Sequence, residues 1–216
     1  MTAFAWRLVT VDIDGTLTLV HGWRRMAEAF HRVPEFEASN RRFFAHEIGE
    51  DPHLADLLDL ANGHTVAEVE EVLASTPRLS GIAEGVATLR GLGARVALLS
   101  HNPPYVCSWY QRRFGFDDFD ATPGSIVVDG VLGRPGPVHA DKRGGVVRLA
   151  GRAGVPLRAV VHVGDGWSDA EVFREVGGGI AVNAPLPEVR AAASLAVNSG
   201  RFDDVVAAIR SIAPPP

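Results

Sequence analysis

Leu8-Val9-Thr10-Val11-Asp12-Ile13-Asp14-Gly15-Thr16 is the stretch that decides the fold. Leu8 to Ile13 is an apolar, β-branched run without the polar alternation of a half-exposed sheet, which reads as a strand buried on both faces. The run ends in two carboxylates and a glycine, and in an open α/β sheet the carboxyl edge of the strands is where ligands bind. Aspartates one residue apart on a strand point to opposite faces. A loop starting at Asp14, with the backbone freedom of Gly15, is needed to turn both toward one site. Taken alone, Asp-x-Asp-Gly also reads as a turn that merely ends a strand.

Working outward, four similar runs follow: Arg95 to Leu99, Ala159 to Val163, Gly179 to Val182 and Leu195 to Val197. Helical stretches lie between the later ones, at Gly81 to Leu92, Pro104 to Phe114, Asp141 to Ala153, Ser168 to Val176, Pro187 to Ala193 and Phe202 to Ile212. Alternation of this kind specifies an α/β fold, a doubly wound, Rossmann-like parallel sheet with right-handed crossovers. Residues 20–76 differ. They contain no β-like run but repeat helical spacing, as in Trp23, Met26, Ala27, Phe30 and in Leu54, Leu57, Leu58. Thr65 and Glu68 form a capping box before Val69, Val72 and Leu73, and Pro77 follows. The expected organisation is a core of residues 1–19 and 77–216 with a small helical domain, 20–76, inserted after the first strand. Asp129-Gly130 marks a tight hairpin turn within Gly124 to Leu132, and Pro214 to Pro216 reads as a frayed tail.

A chain of 216 residues has room for one substantial core with an appendage. Its 46% apolar and 22% charged residues are those of a globular protein that folds by itself. A net charge of -5 argues against binding a polyanion, so no nucleic-acid partner is expected. Cys107, the single cysteine, has no partner for an internal disulfide and suits a reducing, cytoplasmic setting. The stretch from Leu8 to Val11 has no basic leader or cleavage site, and no segment is long enough to span a bilayer. A monomer or a homodimer is expected.

Three further features converge on the first motif. The second strand ends in Ser100-His101-Asn102, placing a hydroxyl and backbone amides where they can hold phosphate oxygens. Asp141-Lys142 opens a helix, and a lysine there can neutralise an anionic substrate together with an attacking carboxylate. Val160-Val161-His162-Val163 runs into Gly164-Asp165-Gly166-Trp167-Ser168-Asp169, a second pair of acids at a strand end whose hard oxygens suit magnesium. His162 itself, inside a buried strand, reads as a satisfied core residue.

These four elements, in this order, closely resemble the motifs of the haloacid dehalogenase superfamily, and within it the phosphoserine phosphatase group, whose small helical cap follows the first motif. The resemblance covers nearly the whole chain and includes the hairpin near Asp129 and the segment Gly179-Ile180-Ala181-Val182-Asn183-Ala184. It implies a phosphoric monoester hydrolase acting on a small-molecule phosphate ester. Asp12 would be the nucleophile that becomes an aspartyl phosphate, and Asp14 the acid that protonates the leaving alcohol and then activates water. It further implies Mg2+ held by the Asp12 carboxylate, the Asp14 carbonyl and Asp165, with Asp169 ordering its waters, while Ser100 and Lys142 hold phosphoryl oxygens.

The departures from that group concern the substrate. Val20 or His21 stands where the phosphoserine enzymes carry a glutamate for the amine, and Leu57 falls near their carboxylate-binding arginine. His101-Asn102 replaces a glycine pair, and Ser168 the usual asparagine. These differences count against L-phosphoserine itself. Thr16, His21, Trp23, Arg24, His101, Asn102 and Ser168 are the candidate substrate contacts. Trp23 also reads as a core contact of the cap, and Arg24 as part of a solvated face. A transferase passing phosphate to an acceptor alcohol, or a non-catalytic phosphate-binding module, would use the same motifs.

Overall fold

The computed structural model describes residues 4–213, so the tail Pro214 to Pro216 lies outside the described residues. Strand β1 (Leu8–Val11) is followed by β2 (Arg95–Ser100), β3 (Asp118–Ala121), β4 (Val127–Val128), β5 (Val131–Leu132), β6 (Val160–Gly164), β7 (Gly178–Val182) and β8 (Leu195–Val197). Six of them form one sheet in the order β3-β2-β1-β6-β7-β8, with every neighbouring pair parallel. The doubly wound α/β class read from the sequence is the fold observed. The strand order reverses direction between β1 and β6, and a ligand crevice opens at the carboxyl edge of a sheet at such a point.

The continuous apolar runs are explained by helices on both faces. Val9, Val11, Val96, Leu98, Val161 and Val163 pack against α5 (Ile82–Gly91), α6 (Pro104–Phe114) and α10 (Phe202–Ser211). Their alternates Leu8, Ala97, Leu99 and Val160 pack against α7 (Lys142–Ala153) and α8 (Trp167–Glu175). The short α9 (Pro187–Ala192) completes this second face beside α8. Thr10 and His162 pair across β1 and β6 and break the apolar pattern, although both are fully buried.

Residues between β1 and α5 form no sheet strand and build α1 (Gly22–Ala29), α2 (Val33–Phe44), α3 (Glu50–Asp59) and α4 (Val66–Ser75). Trp23, Ala27, Phe36, Leu54, Leu57 and Leu58 of α1–α3 meet in a small cluster, whereas Met26 of α1 and Val69, Val72 and Leu73 of α4 join the main core. The capping box before α4 is present, with Thr65 Oγ1 accepting from Glu68 N–H at 3.1 Å and Glu68 Oε2 accepting from Thr65 N–H at 2.7 Å. The hairpin pairs Val128 with Val131 around Asp129 and Gly130, both at positive φ, as a primed two-residue turn requires. Among the described residues no helix is long and apolar enough to cross a membrane.

Two sequence expectations are corrected here. β1 ends at Val11 instead of Ile13, so Asp12 already lies beyond the strand, although its N–H still reaches Val163 O of β6 at 2.9 Å. The edge strand β3, with the sequence Asp-Phe-Asp-Ala, was not expected, because its acids give it no apolar run. Arg148 and Arg152 of α7 pair with Asp118 and Asp120 and make the strand tolerable at that edge.

Candidate active site

The loop leaving β1 turns sharply at Gly15, which has a φ of 79°. A Cβ at this position would stand 2.2 Å from Asp165 Oδ2, so both the left-handed backbone and the close approach of the second acidic loop require glycine. The turn brings Asp14 to the same side as Asp12. Asp14 Oδ1 accepts from the backbone N–H of Gly22, the first residue of α1, at 2.7 Å, and Asp14 Oδ2 accepts from Asn102 Nδ2 at 2.8 Å. Asn102 also donates to Ser100 Oγ at 3.1 Å, so the ends of β1 and β2 are tied together through side chains.

Lys142 enters from the first position of α7, whose N-cap Asp141 accepts from Gly144 N–H at 2.8 Å. Its ammonium lies 2.7 Å from Asp169 Oδ1 and 3.2 Å from Asp12 Oδ1 and is almost fully buried. Burial alone would lower the lysine pKa, but the charges of Asp12 and Asp169 outweigh it and hold the ammonium well above its ordinary range. Burial would likewise raise Asp169. The Lys142 charge and the His162 hydrogen bond reverse this and keep it ionised.

Asp169 accepts four hydrogen bonds, from Lys142 Nζ (2.7 Å) and His162 Nε2 (2.9 Å) on Oδ1 and from the N–H groups of Asp165 (3.0 Å) and Gly166 (2.9 Å) on Oδ2. Four donors saturate a carboxylate. With Nε2 donating, His162 Nδ1 accepts from the Thr10 hydroxyl at 2.9 Å, and the strand polar pair is satisfied. His162 is thus the core residue expected, and it also aims Asp169.

Carboxylate oxygens of Asp12, Asp165 and Asp169 all lie within 4.8 Å of one another. Burial, followed by the charges of neighbouring acids, raises Asp165 well above the usual carboxylate range and Asp12 less so. Three carboxylates thus face one ammonium, an excess of negative charge in an all-oxygen donor set, and a hard divalent cation fits such a site. Because Asp169 is saturated, Asp12 and Asp165 keep the free lone pairs.

These groups form the floor of a cavity of about 460 Å³ between the sheet edge and α1–α3. Of the sequence candidates, His21, Trp23, Ser100, His101, Asn102 and Ser168 border it with Asp12, Asp14, Lys142, Asp165 and Asp169. Two candidates for substrate contact do not. Thr16 is completely buried and its hydroxyl donates to Asp165 Oδ1 at 2.7 Å, so it stands behind that acid. Arg24 is displaced because the helical phase of α1 turns it outward, where its side chain is 52% exposed and pairs with Glu28. Asn102 lines the cavity, but its amide is spent on Asp14 and Ser100.

A model of the haloacid dehalogenase-like hydrolase family matches residues 6–177. The chain belongs to this family. Among its relatives in the haloacid dehalogenase-like hydrolase family, a phosphoserine phosphatase of Streptomyces coelicolor is 31% identical over 208 residues, covering 94% of this chain and 50% of that protein. One from Polaromonas is 25% identical over 214 residues, covering 95% and 90%. The chain thus spans about half the length of the Streptomyces relative and nearly all of the Polaromonas one. Haloacid dehalogenase-like folds also align in space. A hydrolase of the family from Salmonella enterica superposes with a TM-score of 0.83 at 18% identity, covering 92% of this chain and 69% of that one. A substrate-bound phosphoserine phosphatase superposes at 0.78 and 21% identity, covering 94% and 98%.

Several cavity residues of this haloacid dehalogenase-like chain carry no sequence signal. Asn40, Phe43 and Phe44 of α2, Glu50 and His53 of α3, and Trp167 and Glu171 of α8 all border the space. An acid in the first turn of a helix, such as Glu50, reads as ordinary dipole compensation, and nothing local says which phase of α2 faces the sheet.

Proposed function

We propose that the chain is a Mg2+-dependent phosphohydrolase that cleaves a small-molecule phosphate monoester through an aspartyl phosphate on Asp12. The observation that carries this reading is the buried Asp12 carboxylate on the cavity floor, 3.2 Å from Lys142 Nζ, with Asp14 held beside it. The relatives named phosphoserine phosphatase support the reaction class. In this reading residues 20–76 form a cap over a core of 1–19 and 77–216, and the protein acts in the cytoplasm as a monomer or homodimer.

An Asp12 oxygen attacks phosphorus, the P–O bond to the alcohol breaks, and protonated Asp14 gives its proton to the leaving oxygen. Asp14 then takes a proton from water as it attacks the acyl phosphate, which releases phosphate and regenerates Asp12. Lys142 and Ser100 hold phosphoryl oxygens as charge develops on them. Asp12, the Asp14 carbonyl and Asp165 would hold Mg2+, which when bound offsets the repulsion between carboxylate and phosphate. Water is the acceptor in this reading.

Chelation tests the metal requirement. Phosphate release from phenyl phosphate is expected to fall about 100-fold in EDTA and to return on adding Mg2+. Full activity in chelator would remove the cation from the scheme.

Gly22→Ala tests the Asp14 assignment. A Cβ there would come within 2.3 Å of Asp14 Oδ1, which can yield only by leaving its place. Because helix position and backbone φ tolerate alanine, the melting temperature is expected to hold while kcat falls about tenfold. Unchanged kcat would show that Asp14 acts from another position.

A further inference from the structure

Beyond the acids on its floor, the cavity presents a distinctive set of groups to the alcohol half of an ester. Lys142 is the one lysine or arginine on its wall among the described residues, and Asp12 and Asp169 already engage it. Arg24 and Arg25 of α1 both turn to Glu28. A carboxylate carried in by a substrate would lose water without gaining a cation, which is costly. It would also meet the like charges of Glu50 and Glu171.

Glu50 is the first residue of α3 and its side chain is half exposed to this space. Its ion-pair neighbour among the described residues is His101, with Nδ1 3.4 Å from Glu50 Oε1. Burial and the Lys142 ammonium push the His101 pKa down to about 3, so the neutral ring offers Glu50 no counter-charge, and burial, against the pull of Lys142, holds Glu50 above the ordinary carboxylate value. Aromatic rings border the same cavity. Phe43 and Phe44 come from α2 and Trp167 from the start of α8. Phe44 and Trp167 meet edge to face at 6.1 Å across the two sides of the cavity, and both are substantially exposed. Aromatic faces next to a carboxylate attract an organic cation and hold its carbon body.

The geometry points to a substrate that is the phosphate monoester of an amino alcohol, cationic and without a carboxylate, with Glu50 selecting for the positive charge. This deepens the phosphohydrolase reading and rests on it.

Three substrates and two variants test it. O-Phosphoethanolamine and L-phosphoserine differ only in the carboxylate, and phenyl phosphate carries neither charge. The wild-type kcat/KM for phosphoethanolamine is expected to exceed that for phosphoserine by about tenfold or more, a difference typical of one charged contact. Glu50→Gln is expected to lower that ratio about tenfold, and Glu50→Arg to reverse it. A wild-type ratio at or below one, with phenyl phosphate turned over, overturns the selectivity and leaves the phosphohydrolase reading standing. A ratio unmoved by both substitutions removes Glu50 from it. Failure to turn over phenyl phosphate in Mg2+ overturns the phosphohydrolase reading, and the selectivity with it.

Discussion

Asp12→Asn is expected to lower kcat on phenyl phosphate by about 10⁴-fold while leaving the protein at least as stable as the wild type. The amide has nearly the shape of the carboxylate but no anionic oxygen to attack phosphorus. The sign of the stability change follows from the electrostatics. Burial and the charges of Asp169 and Asp14 raise Asp12 above its ordinary value despite Lys142, so in metal-free protein the ionised group is less favourable folded than unfolded. A neutral replacement escapes that cost. Thermal melts in EDTA, with steady-state phosphate release in Mg2+, check both halves, and normal turnover would end the nucleophile assignment.

Lys142→Met should fail in both respects. The ammonium is the cation that separates Asp12 from Asp169, and its removal leaves buried carboxylates facing one another. Breaking one partner out of a buried ionic cluster costs about 3–5 kcal/mol, and losing a preorganised charge on the phosphoryl oxygens lowers kcat about 10³-fold. The stability loss should be larger in EDTA than in Mg2+, because a bound divalent ion compensates the same excess charge. Adding Asp12→Asn should recover part of the loss, since the two side chains are in contact and their effects do not add. A Lys142→Met protein as stable as the wild type in EDTA would show that the lysine is not the counter-charge of the site.

Four of the six sheet strands are legible because they are buried almost throughout and therefore largely apolar, and the mostly exposed edge strand β8 is legible from its short apolar run alone. β3 is hidden because its acids are balanced by arginines some thirty residues away on α7, a relation that exists only after folding. The same division holds for the site. Asp12, Asp14, Lys142, Asp165 and Asp169 stand at strand ends or first turns of helices, where local sequence fixes the direction of a side chain. Thr16 and Asn102 are close to those motifs, but whether each faces the cavity or supports an acid depends on a loop conformation with no signature. On α1–α3 the choice between Arg24 outward and Glu50 inward depends on how the helices roll against the sheet.

The two anchors of Asp14 come from opposite banks, Gly22 at the start of α1 and Asn102 at the end of β2. In the proposed reaction, a shift of α1 away from β2 would remove one of them, so the aim of the Asp14 proton would depend on the two banks staying in contact.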